Sequence, residues 1–131
     1  MKFTKKQIDR YSRQIILKKV GVIGQKKLLK SSVLIVGAGG LGSPIAIYLT
    51  ALGIGKIGIV DKDNVEISNL SRQIIFETND VNKNKSSAAI SKLKKINPDI
   101  QFKSFNKNLT ITNINQIAKK FDLYLLLSNS C

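Results

Sequence analysis

Residues 33–42, Val-Leu-Ile-Val-Gly-Ala-Gly-Gly-Leu-Gly, restrict what this chain can fold into more than any other stretch. Four consecutive apolar residues, three of them β-branched, predict a strand buried on both faces. Gly37, Gly39, Gly40 and Gly42 then allow a sharp turn with no Cβ in the way. A helix is expected over 41–52, with Leu41, Ile45, Leu49 and Leu52 on its apolar side and Gly53 where it stops. Strand, glycine turn and helix N-terminus together aim unpaired N–H groups and a partial positive charge at one point, an arrangement that suits a phosphate.

Residues 33–55 contain no charged side chain, which also fits a membrane span, but six glycines and Pro44 make a poor lipid-facing helix, and no membrane partner is expected. Glycines of this kind can also serve only to let a helix pack closely on a strand, so the surrounding chain decides.

The chain has 131 residues, room for one domain over 1–131. A hydrophobic share of 43% with 23% charged residues excludes disorder. With Cys131 as the sole cysteine and no histidine, a disulfide framework and a paired-cysteine zinc site are both excluded, and no metal ligand set is assigned. The charged N-terminus has no apolar run behind it, so a cytoplasmic location is expected. The net charge of +14 is spread over many lysines with few aromatics between them, which reads as a solvated basic surface rather than a nucleic-acid site. Arginine is confined to Arg10, Arg13 and Arg72, in two short polar clusters. Its planar fork grips phosphate or carboxylate with two bonds, which marks those clusters as candidate function.

Taken in order, an amphipathic helix is expected over 5–17 and a short helix over 25–30, with Gly21 and Gly24 breaking the chain between them. A second strand over 56–60 ends in Asp61-Lys-Asp63-Asn64. Asp61 follows Gly42 by 19 residues, the distance at which a dinucleotide-type fold places an acid for the ribose hydroxyls; a solvent turn is the competing account. Residues 65–76 fit neither period and mix Asn69, Arg72 and Gln73 with apolar anchors, as ligand-presenting segments do. A helix over 82–96 carries Lys85 in its first turn, where a cation opposes the helix dipole unless an anion is near. Lys85 is therefore either a phosphate ligand or a solvated lysine. A third strand over 100–105, a helix over 112–119 and a fourth strand over 121–127 complete a β-α-β-α-β-α-β pattern, hence a doubly wound parallel sheet in the order 3-2-1-4. The apolar fourth strand at a sheet edge predicts cover by a partner subunit, or a truncated half of a longer fold.

Arg10-Tyr-Ser-Arg13-Gln14-Ile-Ile-Leu17, Gly24-Gln25, residues 33–44, Gly53-Ile-Gly55, Asp61-Lys-Asp63, Ser68-Asn-Leu-Ser-Arg-Gln73, Lys85 and Asn97-Pro98 together resemble the ubiquitin-activating-like adenylyltransferases of the ThiF/MoeB type. The resemblance runs through nearly the whole chain and implies a Rossmann-like α/β fold behind an N-terminal helical segment. It implies ATP and magnesium (Mg2+) as cofactors and adenylation of the C-terminal glycine carboxylate of a ubiquitin-like sulfur-carrier protein in thiamine or molybdopterin synthesis. By position, Gly37, Gly39, Gly40 and Gly42 would cradle the nucleotide, and Asp61 with Asp63 would take the ribose side. Asn69, Arg72, Gln73 and Lys85 would contact the phosphates, and Arg13 would reach into the partner's site in a homodimer.

After the fourth strand the family has Asp-x-x-Asp-Asn, whose second Asp is the catalytic, magnesium-linked carboxylate; that position is Asn129 here. A neutral amide has no charge for a hard cation, so metal-assisted chemistry should be weakened. Asn82 stands where the family has a glycine, and Asn tolerates the left-handed backbone. Two other classes stay open: a non-catalytic nucleotide- or carrier-binding module or half of a split enzyme, and a nicotinamide or flavin oxidoreductase.

Overall fold

The computed structural model describes residues 2–127. Four strands, β1 (Ser32–Val36), β2 (Lys56–Val60), β3 (Gln101–Phe105) and β4 (Leu123–Leu126), form one parallel sheet in the order β3-β2-β1-β4. The strand order is the one the βαβ pattern requires. Successive side chains of β1 point to opposite faces, and each face has its own cluster. Val33 and Ile35 join Ile57 and Ile59 beneath the helices α3 (Gly42–Leu52) and α4 (Lys85–Ile96), through Ala46, Ala88, Ala89 and Leu93. Leu34 joins Val60, Phe105, Ile117 and Phe121 on the other face, under α5 (Ile111–Ala118). Leu34, Ile35, Ile57 and Ile59 are almost wholly buried, each contributing about 2 kcal/mol of hydrophobic stabilisation.

The N-terminal segment folds as α1 (Lys5–Ile15) and α2 (Gly21–Lys30). Thr4 and Gln7 form a reciprocal capping box at the start of α1. Gly21 and Gly24 do not separate two elements as expected. Gly21, at φ +60°, starts α2, and Gly24 lies inside it, its N–H bonded to Val20 O. A helix N-terminus is indifferent to a glycine that costs more in a helix interior, so the break comes at residues 16–20 instead. The helix expected from residue 82 starts at Lys85, because Asn82 adopts φ +73° and Asn84 caps the helix by accepting the Ser87 N–H. The left-handed Asn82 is what the substitution for glycine at this position implied.

The N-terminal helix α1 is bolted to the end of the molecule where α3 and α4 finish. Tyr11 is fully buried, and its hydroxyl accepts from Asn97 Nδ2 at 2.9 Å. Gln14 and the buried Gln25 both donate to Leu52 O, and Arg10 donates to Ile96 O. These side chains satisfy carbonyls that a helix C-terminus leaves unpaired. On the far side of the sheet, β4 pairs among the described residues with β1 alone, and Leu123, Tyr124 and Leu126 are exposed. Among the described residues no helix is long and apolar enough to cross a membrane.

Two glycines mark where α2 and the turn after β1 meet the sheet. A Cβ on Gly55 would stand 1.7 Å from the Leu29 carbonyl oxygen, and one on Gly42 would stand 2.0 Å from that of Gly37. By contrast, nothing lies within 4 Å of a Cβ placed on Gly21, whose only demand is its positive φ. Gly55→Ala is therefore expected to lower stability by about 3 kcal/mol or more, whereas Gly21→Ala costs about 1 kcal/mol. Urea unfolding of the two variants beside the native chain checks that ranking.

Candidate functional site

At the carboxyl ends of β1 and β2 the chain leaves a cleft of about 780 Å³. This is where an open α/β sheet whose strand order reverses beside β1 is expected to bind ligands. The glycine turn forms one wall. Gly37, at φ +100°, hands its N–H to Val60 O, and the chain then turns through Ala38 and Gly39 into α3. Leu41 at the helix start supplies no side-chain cap. Among the described residues the N–H groups of Gly39, Gly40, Leu41 and Gly42 meet no protein acceptor. Gly37 and Gly39 line the cleft; Gly40 and Gly42 do not and instead shape the turn, Gly42 by its close approach to Gly37. An uncapped helix start of this kind holds a partial positive charge and free donors for an anion.

The second wall is the loop after β2. Asp61 Oδ2 accepts the Ala38 N–H at 2.8 Å and Oδ1 accepts the Asp63 N–H at 2.9 Å. The carboxylate therefore ties the glycine turn to its own loop, a role the sequence reading did not include. Asp61 lines the cleft, and each carboxylate oxygen has capacity for a further hydrogen bond, as from a hydroxyl group. Asp63 lines the cleft too, and its carbonyl receives the Lys85 N–H at 2.8 Å.

Residues 65–76 wrap the third side. Val65, Ile75 and Phe76 are buried in the core and anchor an otherwise irregular path through a short 3₁₀ turn, Ile67–Ser71. Between the anchors Asn69 and Gln73 are buried and Arg72 is exposed, and all three line the cleft. Asn69 Oδ1 accepts the Glu66 N–H at 2.9 Å, which holds the turn closed. The Oε1 of Gln73 is buried with no hydrogen-bond partner among the described residues. Lys85, only 8% exposed, lines the same cleft, and no protein acceptor meets its ammonium among the described residues. An ammonium that reaches a cleft with no protein acceptor beside it is free to pair with an anion there.

The structure thus gathers Gly37, Gly39, Asp61, Asp63, Asn69, Arg72, Gln73 and Lys85 in one cleft. Arg13 does not join them. It lies exposed on α1, which packs where α3 and α4 end, whereas the cleft lies where they begin. Asn129 lies outside the described residues. Lys107, Asn108 and Leu109 line the cleft as well and escaped the sequence reading. They follow β3 as Asp61 follows β2, so the rule that ligands gather at strand carboxyl ends was the signal available. For a metal the described residues fit poorly: no group of three acidic, histidine or cysteine side chains is placed to hold one.

Comparison with known proteins agrees with this geometry. Residues 11–128 match the model of the ThiF family. Over 123 residues, 94% of this chain, it is 44% identical to a sulfur carrier protein adenylyltransferase of Thermus thermophilus, of which it covers 45%. It is also 44% identical over 116 residues, 88% of the chain, to the sulfur carrier protein ThiS adenylyltransferase of Escherichia coli, of which it covers 46%. The chain therefore spans less than half the length of these relatives. Among solved structures, E. coli MccB with ATP superimposes with a TM-score of 0.76 at 32% identity, over 81% of this chain and 31% of that one. The E. coli tRNA N6-threonylcarbamoyladenosine dehydratase TcdA in complex with ATP shares the fold, with a TM-score of 0.91 at 23% identity over 99% of this chain and 53% of that one. The match to the family model covers most of the chain, and the chain belongs to the ThiF family.

Proposed function

We propose that this chain is the nucleotide-binding part of an ATP-dependent adenylyltransferase that acts on the C-terminal glycine carboxylate of a ubiquitin-like sulfur-carrier protein. One observation carries the reading: Lys85, its stem buried and its ammonium without a protein acceptor among the described residues, lines the same cleft as a glycine turn with unpartnered N–H groups. The curated relatives named as sulfur carrier adenylyltransferases, and a solved relative bound to ATP, support the substrate class.

In the reaction, a carboxylate oxygen attacks the α-phosphorus, the bond to the bridging oxygen breaks, and pyrophosphate leaves. Negative charge builds on the phosphate oxygens, and fixed donors stabilise it. Lys85, Arg72 and the turn N–H groups serve that role, Gln73 and Asn69 orient the phosphates, and Asp61 and Asp63 take the ribose side. Magnesium would shield the departing pyrophosphate, but the described residues offer it no ligand set, so no step is assigned to it. Asn129, in place of the family's carboxylate, favours a nucleotide-holding form with little turnover.

Isothermal titration with ATP is expected to show binding, and Lys85→Ala to weaken it about 10- to 100-fold, as removal of a desolvated phosphate partner does. Pyrophosphate exchange with a carrier protein should be slow in the native chain and faster in Asn129→Asp. Carrier-dependent exchange at full rate in the native chain would overturn the role given to residue 129, and absence of ATP binding would overturn the reading itself.

Arg13 is assigned to the partner's cleft in a homodimer, a reading that the position of α1 away from its own cleft supports. Mixing Arg13→Ala with Lys85→Ala is then expected to restore about a quarter of the strong ATP sites, since random pairing leaves one intact cleft in each mixed dimer. A mixture no better than either variant alone would contradict the trans arrangement.

A further inference from the structure

One side chain ties together three of the segments around the cleft, the loop after β2, the start of α4 and the loop after β3, without itself lining the cleft. Asn84 stands immediately before Lys85. Its Oδ1 accepts the Ser87 N–H at 3.1 Å and so caps α4. Its Nδ2 reaches Asp61 O at 3.0 Å, Asp63 O at 3.2 Å and Asn106 Oδ1 at 3.0 Å. Two amide hydrogens serve three acceptors, so one is shared. The backbone of Asn84 also bridges Asn64. Ser86, which donates to Asn84 Oδ1, lies 2.8 Å from Ser104 Oγ on β3 and extends the network to that strand.

We propose that Asn84 is the positioning residue of the cleft, locking the Lys85 end of α4 to the Asp61–Asp63 loop and to the loop that carries Lys107. This rests on the nucleotide reading of the cleft given above. The residue type follows from the two jobs. Ser, Thr and Asp also cap helices, but Asn adds to its capping oxygen a separate amide with two hydrogens, which is the group that reaches the Asp61, Asp63 and Asn106 oxygens. Asn106 is the receiving end, and Lys107 beside it is exposed and lines the cleft. If capping were the whole role, a serine would serve.

The test uses the full chain with Asn84→Ser, which keeps the cap and loses the amide donors, together with Asn106→Ala and Asn106→Asp. Asp122→Ala provides a destabilised control, since Asp122 bonds the Ser32 N–H at the amino end of the sheet. Amide hydrogen exchange at residues 61–64 and 106–109 needs no ligand. It is expected to speed up at both loops in Asn84→Ser, at 106–109 alone in Asn106→Ala, and at neither in Asn106→Asp, which still accepts from Nδ2. ATP titration is expected to show about a tenfold rise in Kd for Asn84→Ser and none for Asp122→Ala at a temperature where both are folded. Unchanged exchange at 106–109 in Asn84→Ser, or an equal loss of affinity in the Asp122→Ala control, would overturn the proposal. A native chain that fails to bind ATP would instead overturn the nucleotide reading, and the exchange pattern would still decide whether Asn84 organises the cleft.

Discussion

Asp61 holds the glycine turn by the Ala38 N–H with one carboxylate oxygen and its own loop by the Asp63 N–H with the other, and the cleft exists because of that grip. The turn contains residues whose main value is freedom, and freedom alone does not make a site. A charged acceptor bonded to a backbone N–H is roughly twice as strong as a neutral one, and here it spans two strand ends. With the turn held, the first N–H groups of α3 keep one direction. With the loop held, the Asp63 carbonyl is in place to receive the Lys85 N–H, and α4 starts at a defined distance from α3.

The two ends of the sheet are built by different means. At the carboxyl end, backbone donors are left open and cations gather around them. At the amino end, the Leu52 and Ile96 carbonyls of α3 and α4 are closed by Gln14, Gln25 and Arg10. The N-terminal helices are thus a plug for helix C-termini, and the buried Tyr11 lying against Gly53 fits because a Cβ there would stand 2.5 Å from its ring. The same end carries much of the charge. Ten of the 22 basic residues but only one of eight acidic residues fall in 1–30, so the strong net charge belongs to the face away from the cleft rather than to the cleft itself. Within the cleft, Arg72 and Lys85 face Asp61, Asp63 and Glu66, a mixed surface that can hold a phosphate chain on one side and hydroxyl groups on the other.

The fold itself was written in local patterns. A four-residue apolar run before glycines, a second run before Asp61 and two further strands with helices between them determine a parallel sheet and its order, because right-handed crossovers leave few alternatives. Asn69, Arg72, Gln73 and Lys85 were legible as a group because they sit in or beside segments where a polar or cationic residue works against the local structure unless a ligand uses it. Their meeting in one cleft follows from topology, since all four lie in the connection that runs from the carboxyl end of β2 to the start of α4.

What only the tertiary structure decided concerns pairings between residues far apart in the chain. The bond from the Ala38 N–H to Asp61, the threefold reach of Asn84 and the entry of Lys107 to the cleft join segments about 20 residues or more apart, and no period or spacing encodes an angle between loops. The placement of Arg13 away from the chain's own cleft is of the same kind: an amphipathic pattern says that α1 packs, while the carbonyls waiting at the ends of α3 and α4 say where. The sequence by itself determined which elements form and which residues carry chemistry, because those depend on neighbours within a turn or two. The surfaces on which those residues meet, and the end of the sheet to which each belongs, were settled by packing.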